Sequence, residues 1–371
     1  MCNALGIVSF SRNRIHVEGL QDYRSIGAFS FLGRYRVIDF PISNMTNSGI
    51  DRIKVFINKQ PRSLVDHLGT GRHYNINSKR GKMHMLFPVS DSINPVYDTD
   101  IAAYLHNLAY IEQEHSEYVI IAPSHMVFKQ DFDDLLNKHI ESGADITLLY
   151  HTVDNANESF FDCDVLTLNK QKGVLSLEKN RANAKNRNIF MDTYVMKKDL
   201  FIDLIKKGAS HSAIYTLPQV VYHACNDMDV RGISHHGYFA ALTDLKSYFD
   251  ANLSLLDAKT RNNLFDDEWP IYTRTSDSCP TKYYETASAT SSIISNGCTI
   301  EGTVENCIIG RGCIIKKGAV LKNCVVLPNV TIGTDVHAEN LIIDKYAKLI
   351  HGKEVVCTPE HPGYVRRNDT I

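Results

Sequence analysis

Residues 307–332 read CIIGRGCIIKKGAVLKNCVVLPNVTI, and this stretch decides the architecture of the last part of the chain. Apolar residues recur every six positions, at Ile308, Ile314, Val320, Val326 and Ile332. The period matches neither the turn of a helix nor the alternation of a strand, but it is typical of a hexapeptide β-helix. Three hexapeptides, about 18 residues, then form one triangular coil, which predicts that Ile308 stacks on Val326 and Ile314 on Ile332. A run of β-hairpins is the alternative.

The repeat starts near Ser292 and supplies about three coils, close to the minimum for a stable repeat fold. We therefore expect a β-helix domain over residues 292–371, with an end coil that another domain or subunit covers. Four cysteines lie inside the repeat, and no two of them have the spacing of zinc ligands. We predict that these thiols fill the core of the prism rather than bind a metal. They are Cys298, Cys307, Cys313 and Cys324.

Upstream of residue 245, short apolar runs alternate with helical patterns. The runs 4–8, 53–57, 118–122 and 146–150 are almost continuously apolar, as strands covered on both faces are. This alternation predicts an α/β domain with a mostly parallel sheet over residues 1–245. An apolar stripe after Thr243 and Asp244, either of which is able to cap a helix, predicts a helix. We treat residues 246–291 as that helix and a polar connector.

Composition limits the classes of protein that the chain belongs to. It has 371 residues, with 40 basic and 42 acidic side chains, so it is not a strongly basic nucleic-acid binder. No apolar run approaches the ~20 residues that cross a bilayer, and the first residues do not resemble a signal peptide. Nine scattered cysteines predict reduced thiols rather than a disulfide framework. We expect a cytoplasmic protein that binds neither nucleic acid nor membrane.

The most distinctive stretch of the first domain is FLGRYRVIDFPISN at 31–44, followed by NSGI at 47–50. It contains a glycine turn, the beginning of a strand and a predicted helix start at Ser43 or Asn44. Arg34 and Arg36 are two residues apart on an extended segment, so their side chains project to one side and are able to hold a phosphate. A solvated pair of surface charges is the alternative.

This stretch resembles the FGGKYRIIDFPLSN and NSGI signature of bacterial glucose-1-phosphate adenylyltransferases. QPRSLVDHL at 60–68, Glu178-Lys179 and YFDAN at 248–252 resemble further segments of that family, in the same order. The resemblance spans essentially the whole chain. It implies a Rossmann-like, GT-A-like nucleotidyltransferase domain, a C-terminal left-handed parallel β-helix and a tetramer. It also implies a reaction in which ATP and glucose 1-phosphate give ADP-glucose and pyrophosphate.

The sequence departs from the family pattern at four places. The run that resembles the glycine-rich GGxGxRL loop, residues 9–14, has no glycine, although glycines let backbone N–H groups approach phosphates. Ile26 stands at the lysine of the KPAVPFGG segment. Nucleotidyl transfer needs Mg²⁺, usually held by carboxylates. Here Ser124 stands at the aspartate of the GDH segment, and Ala241 at that of the RDVGT segment.

Loss of both acids removes several kcal/mol of metal stabilisation, so turnover should fall by roughly a thousandfold or more. We therefore expect no catalytic residues, no metal and no retained cofactor in this chain. It resembles the family's GlgD-type regulatory subunits, which implies a hetero-tetramer with a GlgC-type catalytic partner that holds Mg²⁺; a homo-oligomer alone is the other assembly. One alternative is an active nucleotidyltransferase that uses the displaced acids Asp98, Asp100 or Asp244. Another is a hexapeptide-repeat acyltransferase, for which His337 is the candidate.

The resemblance also implies binding sites that the chain retains. Lys179, with Glu178, matches the EKP lysine that holds the sugar phosphate. The nearby ASMG-type segment reads IFMD at 189–192, and Asp192 would repel that phosphate. Arg34, Arg36 and Arg52 correspond to a basic region that helps to form an anionic effector site between the domains. We expect Arg366, and Arg367 beside it, to join them; a structural ion-pair cluster with Asp39 or Asp51 is the alternative.

Overall fold

The computed structural model of the protein describes residues 3–12, 14–76, 79, 81–87, 98–352 and 354–371. The strands of its first domain are β1 (Ala4–Ser9), β2 (Ser30–Phe31), β3 (Tyr35–Arg36), β4 (Arg52–Phe56), β5 (Lys82–Leu86), β6 (Tyr118–Pro123), β7 (Met126–Phe128), β8 (Ile146–Val153), β9 (Asp164–Leu168), β10 (Val174–Lys179), β11 (Arg187–Lys197), β12 (Val230–Ser234) and β13 (Phe239–Ala241). The helices are α1 (Asp39–Asn47), α2 (Arg62–Leu68), α3 (Asp100–His106), α4 (Leu108–Glu112), α5 (Phe132–Ser142), α6 (Lys198–His211), α7 (Leu217–Ala224), α8 (Leu245–Ser254) and α9 (Ala258–Asn262). Short 3-10 turns lie at Leu20–Asp22, Ile26–Ala28 and Arg72–Tyr74.

A nine-stranded sheet forms the centre of this domain, and β1 lies inside it between β6 and β4. Leu5 and Ile7 contact one apolar core while Ala4 and Val8 contact another, which explains the continuous apolar run of β1. The strands β6, β1, β4 and β5 are parallel, as predicted. The rest of the sheet differs, because the long strand β11 runs antiparallel to β6, β8 and β9. The sheet is therefore mixed rather than mostly parallel.

The helix of the signature stretch begins earlier than predicted. It starts at Asp39, so Ser43 and Asn44 lie inside α1 and are buried. The buried carboxylate of Asp39 accepts hydrogen bonds from the Arg36 backbone N–H (2.8 Å) and the Tyr74 hydroxyl (2.6 Å), and contacts His67 Nε2 (2.6 Å). These contacts hold the start of the helix against the loop that precedes it, which the local sequence pattern does not indicate.

The last part of the chain is a triangular β-helix with three parallel five-stranded faces. The first face contains β14 (Lys282–Tyr283), β17 (Thr299–Ile300), β20 (Ile314–Ile315), β23 (Thr331–Ile332) and β26 (Lys348–Leu349). The second contains β15 (Ser288–Thr290), β18 (Thr303–Glu305), β21 (Val320–Lys322), β24 (His337–Glu339) and β27 (Glu354–Val356). The third contains β16 (Ile293–Ile294), β19 (Ile308–Ile309), β22 (Val325–Val326), β25 (Leu341–Ile343) and β28 (Gly363–Val365). Parallel pairing excludes the hairpin alternative, and the faces begin at Lys282, inside the predicted connector.

The stacking register differs from the prediction by one residue. Ile308 pairs with Val325 and Ile314 with Thr331, rather than with Val326 and Ile332. The cause is a coil in which equivalent residues are 17 apart, as the stacked corner residues Asn306 and Asn323 are. Their φ angles are 52° and 48°, in the left-handed region where asparagine is common. The 17-residue spacing recurs from β18 through β27 on the second face, whereas β16 and β19 pair residues 15 apart, so the coil length departs from the expected 18.

The interior of the prism is apolar and contains the four repeat cysteines, as predicted. Cys298, Cys307, Cys313 and Cys324 are free thiols buried in the same core cluster as the inward isoleucines and leucines. The third face is covered by the first domain, because Ile308 and Val325 share a core with Tyr248 and Phe249 of α8. The predicted cap of α8 is Asp244, whose carboxylate accepts the Ser247 backbone N–H at 2.6 Å. In the described part of the chain, no helix is long and apolar enough to cross a membrane.

Candidate functional site

Two cavities lie where the parallel strands β1 and β6 end. The Ser124 backbone N–H donates to the Ser9 carbonyl at 2.9 Å, so the segments that follow β1 and β6 are adjacent. The larger cavity has a volume of about 590 Å³ and is lined by Arg14, Asp100 and Lys179 among others. The smaller has a volume of about 250 Å³ and is lined by Ile26, Gln60 and Ser124 among others. Ligands of open α/β sheets bind at this edge.

The structure brings together the two positions at which the family's aspartates are expected. Ala241 pairs with Met126, two residues after Ser124, and the Leu242 N–H donates to the His125 carbonyl at 2.9 Å. Ser124 and Ala241 are both buried. A hydroxyl and a methyl group do not supply the carboxylate oxygens that Mg²⁺ prefers. Across the described residues, no group of three or more His, Cys, Asp and Glu side chains is arranged to hold a metal ion. The residues present therefore do not fit Mg²⁺.

The displaced acids have other roles. The carboxylate of Asp244 caps α8. Asp100 lies at the start of α3 and accepts the backbone N–H groups of Ile101 (2.8 Å) and Leu217 (3.0 Å). Burial raises the pKa of Asp100, although these hydrogen bonds and Arg12 act in the opposite direction. Asp98 and Asp100 both line the larger cavity.

Arg12, in the segment that lacks glycines, turns inward and forms ion pairs with Asp164 of β9 and Asp192 of β11. Arg14 pairs with Asp164 at 2.6 Å. Burial opposes the charge on Asp164, but Arg12 and Arg14 together lower the pKa of that carboxyl. Burial raises the pKa of Asp192 to about 6, against the attraction of Arg12 and with repulsion from Asp164. Sequence reasoning did not find the Asp164 partner, since no motif marks it.

His125 lies beside this ion-pair group as a neutral ring. Its Nε2 is 3.5 Å from Asp192, and neither ring nitrogen has a hydrogen-bond partner among the described residues. Burial, together with Arg12 and Arg14, lowers the pKa of His125 to about 3. A separation of 3.5 Å in the presence of two arginines does not make a charged pair, so we describe the ring as uncharged at neutral pH.

The predicted sugar-phosphate residues lie at the edge of the larger cavity. The Lys179 side chain is about half exposed, and its Nζ is 2.6 Å from Asp162. Glu178 is exposed and lines a small cleft of about 50 Å³ with Arg181 and Arg187. Lys179 therefore borders the cavity as expected, but with a carboxylate already bound to its ammonium group.

The predicted effector arginines are only partly brought together. Arg34 is exposed and lines a groove of about 580 Å³ between the first domain and the prism, with Arg261 and Arg311. Arg36 is more buried, and its guanidinium donates to the Ala28 carbonyl. Arg52 does not join them, because β4 carries it to another surface where it pairs with Glu114 at 3.2 Å.

Of the two C-terminal arginines, Arg367 is the more buried. Arg366 is exposed, whereas the Arg367 guanidinium lies 5.8 Å from the ring centres of both Tyr23 and Tyr346. The predicted alternative, ion pairing with Asp39 or Asp51, is not what the structure shows for Arg36: its backbone, rather than its guanidinium, contacts Asp39.

The structure adds a buried ion pair between the domains that sequence reasoning missed. Both carboxylate oxygens of Asp344 accept from Arg24 (2.7 and 2.8 Å), and Tyr364 donates to the same group at 2.8 Å. Burial, Arg36 and Arg24 lower the pKa of the adjacent Lys345 to about 7. We call Arg24, Arg36, Lys345, Arg367 and Asp344 the interdomain cluster. Arg24 precedes the signature by a few residues, but nothing in the repeat marks Asp344 or Lys345.

The comparisons with known proteins agree with this architecture. Residues 23–257 match the nucleotidyl transferase family, and residues 279–363 match the GlmU-like C-terminal hexapeptide family. The chain is 30% identical to a glycogen biosynthesis protein GlgD of Bacillus subtilis, over 98% of this chain and 95% of the relative. The chain belongs to the family of GlgD proteins and glucose-1-phosphate adenylyltransferases. The resemblance carried by the signature stretch is thereby confirmed.

Other members of this family are similar to comparable extents. A GlgD protein of Geobacillus stearothermophilus is 32% identical over 83% of the chain and 79% of its own length. A glucose-1-phosphate adenylyltransferase of Lachnospira eligens is 33% identical over 77% of the chain and 67% of its own length. Both branches of the family are thus related to this chain, and the predicted combination of nucleotidyltransferase domain and hexapeptide β-helix is confirmed.

Proposed function

We propose that this chain is a noncatalytic, regulatory GlgD-type subunit of glucose-1-phosphate adenylyltransferase, acting in glycogen biosynthesis. The observation that supports this most is the site at the ends of β1 and β6. Ser124 and Ala241 meet where carboxylates would hold Mg²⁺, and neither supplies a carboxylate oxygen. Two carboxylates beside the cavities, Asp164 and Asp192, are already paired with Arg12.

The partner in this proposal is a GlgC-type catalytic subunit in a hetero-tetramer, located in the cytoplasm. The complex would convert ATP and glucose 1-phosphate to ADP-glucose and pyrophosphate, with Mg²⁺ held by the partner. The relationship of this chain to both GlgD proteins and glucose-1-phosphate adenylyltransferases supports such an assembly. In this chain Lys179 and Glu178 would retain at most a weak hold on a sugar phosphate, since Lys179 is paired with Asp162.

The interdomain cluster is the proposed effector site, with an anionic metabolite as its ligand. Three other cations, Arg24, Arg36 and Arg367, act on Lys345, and the carboxylate of Asp344 accepts a hydrogen bond from Arg24. Within the described structure, Arg24 Nη1 and Arg367 Nε are buried without a hydrogen-bond partner. Such donors are costly unless an acceptor reaches them, and a phosphate supplies several. An anion bound here would connect the first domain to the prism.

The test compares the purified chain alone with the chain co-expressed with a GlgC-type subunit. With ATP, Mg²⁺ and glucose 1-phosphate, the chain alone should turn over roughly a thousandfold more slowly than the catalytic subunit. The co-expressed chains should elute as one mixed oligomer whose kinetics differ from those of the catalytic subunit. Substantial ADP-glucose formation by the chain alone would instead favour the active enzyme that uses Asp98 or Asp100. Separate elution with unchanged kinetics would refute the regulatory role.

A further inference from the structure

The two cavities at the ends of β1 and β6 share a wall. Phe10 and Arg12 line both the 590 Å³ cavity and the 250 Å³ cavity. The larger cavity carries groups suited to a sugar, such as Thr216, Gln219 and Tyr222. The smaller is bordered by the segment around Gln60 and by Ser124. Because Arg12 lines both cavities, its side chain lies at the boundary that a ligand extending from one cavity into the other would cross.

Arg12 is held in this position from two strands. Its guanidinium is paired with Asp164 on β9 and Asp192 on β11, and the side chains of all three are at most 13% exposed. Swinging Arg12 out of the cleft would leave the buried Asp192 carboxylate without its cation and Asp164 with Arg14 alone, which is strongly unfavourable. The arrangement is therefore a fixed wall and not a mobile surface side chain.

The backbone of Asp192, one of the two carboxylate partners of Arg12, has an unfavourable conformation. Asp192 has a φ of 46°, in the left-handed region that favours glycine. It lies where the pairing of β11 with β8 shifts register, between Phe190 and Thr193. Such a bulge re-aims a side chain, and here it turns the carboxylate toward Arg12. Asp192 thus adopts an unfavourable backbone conformation at the position where its carboxylate pairs with Arg12.

We propose that Arg12, fixed by Asp164 and Asp192, is a partition that divides the cleft and excludes a nucleoside-diphosphate sugar from this chain. The proposal rests on the proposed function and adds to it a steric cause, separate from the missing metal acids. A nucleotide in one cavity and a sugar in the other would be joined only across the position of Arg12. Added phosphates would also face Asp98, Asp100, Asp164 and Asp192 across the partition.

Binding of radiolabelled ADP-glucose to the full-length chain, measured by equilibrium dialysis, tests the partition. The wild-type chain should show no saturable binding below about 1 mM. A variant with Arg12→Gly and Asp192→Gly removes the wall and places glycine at the positive φ, so it should bind at least about tenfold more tightly. The matched control is Arg231→Gly with Asp229→Gly, an exposed Arg–Asp pair at the start of β12 that lines neither cavity, and it should bind like the wild type.

A second variant distinguishes steric exclusion of ADP-glucose from electrostatic exclusion. Arg12→Gln with Asp192→Asn keeps most of the bulk but removes the ions, and it should remain as closed as the wild type. If it binds ADP-glucose as tightly as the glycine variant, charge and not the wall excludes the ligand, and the partition is refuted. A folded glycine variant that binds no better than wild type also refutes it. If the glycine variant does not fold, submillimolar binding by the wild type still overturns the proposal.

The outcomes for the partition and for the proposed function are distinguishable. A wild-type chain that binds ADP-glucose but forms none of it contradicts the partition alone. A wild-type chain that forms ADP-glucose contradicts both. A mixed oligomer that fails to form, with the cleft still closed, contradicts only the regulatory function.

Discussion

The cleft at the ends of β1 and β6 and the interdomain cluster both contain arginines and aspartates, but their charges are balanced differently. In the cleft, Arg12 and Arg14 are neutralised by Asp164 and Asp192 of the same chain. In the interdomain cluster, Arg24 is paired with Asp344, and Arg36, Arg367 and Lys345 add further positive charge. The arginines of the cleft therefore have carboxylate partners within the chain. In the interdomain cluster, Arg24 Nη1 and Arg367 Nε are buried and have no hydrogen-bond acceptor among the described residues.

This contrast indicates which of the two regions is open to anions. A guanidinium that already has two carboxylate partners gains little from a phosphate and would lose buried contacts by moving. A buried guanidinium with a free N–H gains a charge-assisted hydrogen bond from an anion. The contrast supports the proposal that the chain responds to an anionic metabolite at the domain boundary and does not turn over substrates in its cleft.

The largest expected effect is on the single carboxylate of the interdomain cluster. Asp344→Asn would leave Arg24 buried without its counter-ion and should lower the free energy of unfolding by about 3–5 kcal/mol. Denaturant unfolding of the full-length chain measures this, and added sulfate should restore part of the loss by replacing the missing charge. Asp250→Asn, in the exposed pair with Lys246, is the control and should change stability by no more than ~0.5 kcal/mol. Equal effects in the two variants would contradict the buried role of Asp344.

The next effect concerns the cleft. Ser124→Asp with Ala241→Asp restores the two expected acids but leaves Arg12 in place, so ADP-glucose synthesis should rise by less than about tenfold. Adding Arg12→Gly and Asp192→Gly should raise it by a further ~100-fold, because the metal then acts on a ligand that is able to enter. A coupled pyrophosphate assay of each variant chain measures both steps. Full recovery by the two acids alone would show that the arginine is not an obstacle.

A smaller effect is expected on anion binding. Arg367→Gln should weaken sulfate binding by roughly tenfold, since it removes one charge-assisted hydrogen-bond donor. Sulfate titrations followed by the shift in Tm measure the affinity. The adjacent and exposed Arg366 provides a matched control, and Arg366→Gln should leave the affinity unchanged. If the Arg366 variant weakens binding and the Arg367 variant does not, the sequence-based choice of Arg366 was the better one.

The smallest effect is a pH dependence of the same binding. Burial, with Arg36 and Arg24, lowers the pKa of Lys345 to about 7, so this ammonium loses its charge as pH rises through 7. Sulfate keeps its charge over this range, and its affinity should therefore fall severalfold between pH 6 and 8.5. Lys345→Met should remove the dependence. In the absence of sulfate, the free energy of unfolding should instead rise with pH. Above pH 7 Lys345 is deprotonated in the folded state but still protonated in the unfolded state, so the unfolded state binds more protons.

Much of the fold was predictable because its signals are local. The six-residue period indicates a β-helix wherever it occurs, and the apolar runs indicate strands covered on both faces. The register of the coils was not predictable, because most stacked residues are 17 positions apart, as Asn306 and Asn323 are, and those that pair β15 with β18 and β16 with β19 are 15 apart. The early start of α1 was also missed, since Asp39 is held by His67 and Tyr74, which lie well beyond the helix.

The sequence by itself determined that the family's acids are absent, because the identity of Ser124 and Ala241 needs no coordinates once the motifs are aligned. Only the tertiary structure decided what replaces the lost chemistry. Arg12 meets Asp164 and Asp192 across 152 and 180 residues, and Arg24 meets Asp344 across 320. The strength of an ion pair depends on the distance between two charged side chains and on their burial from solvent. Tertiary structure sets both, and the spacing of residues along the chain does not indicate either.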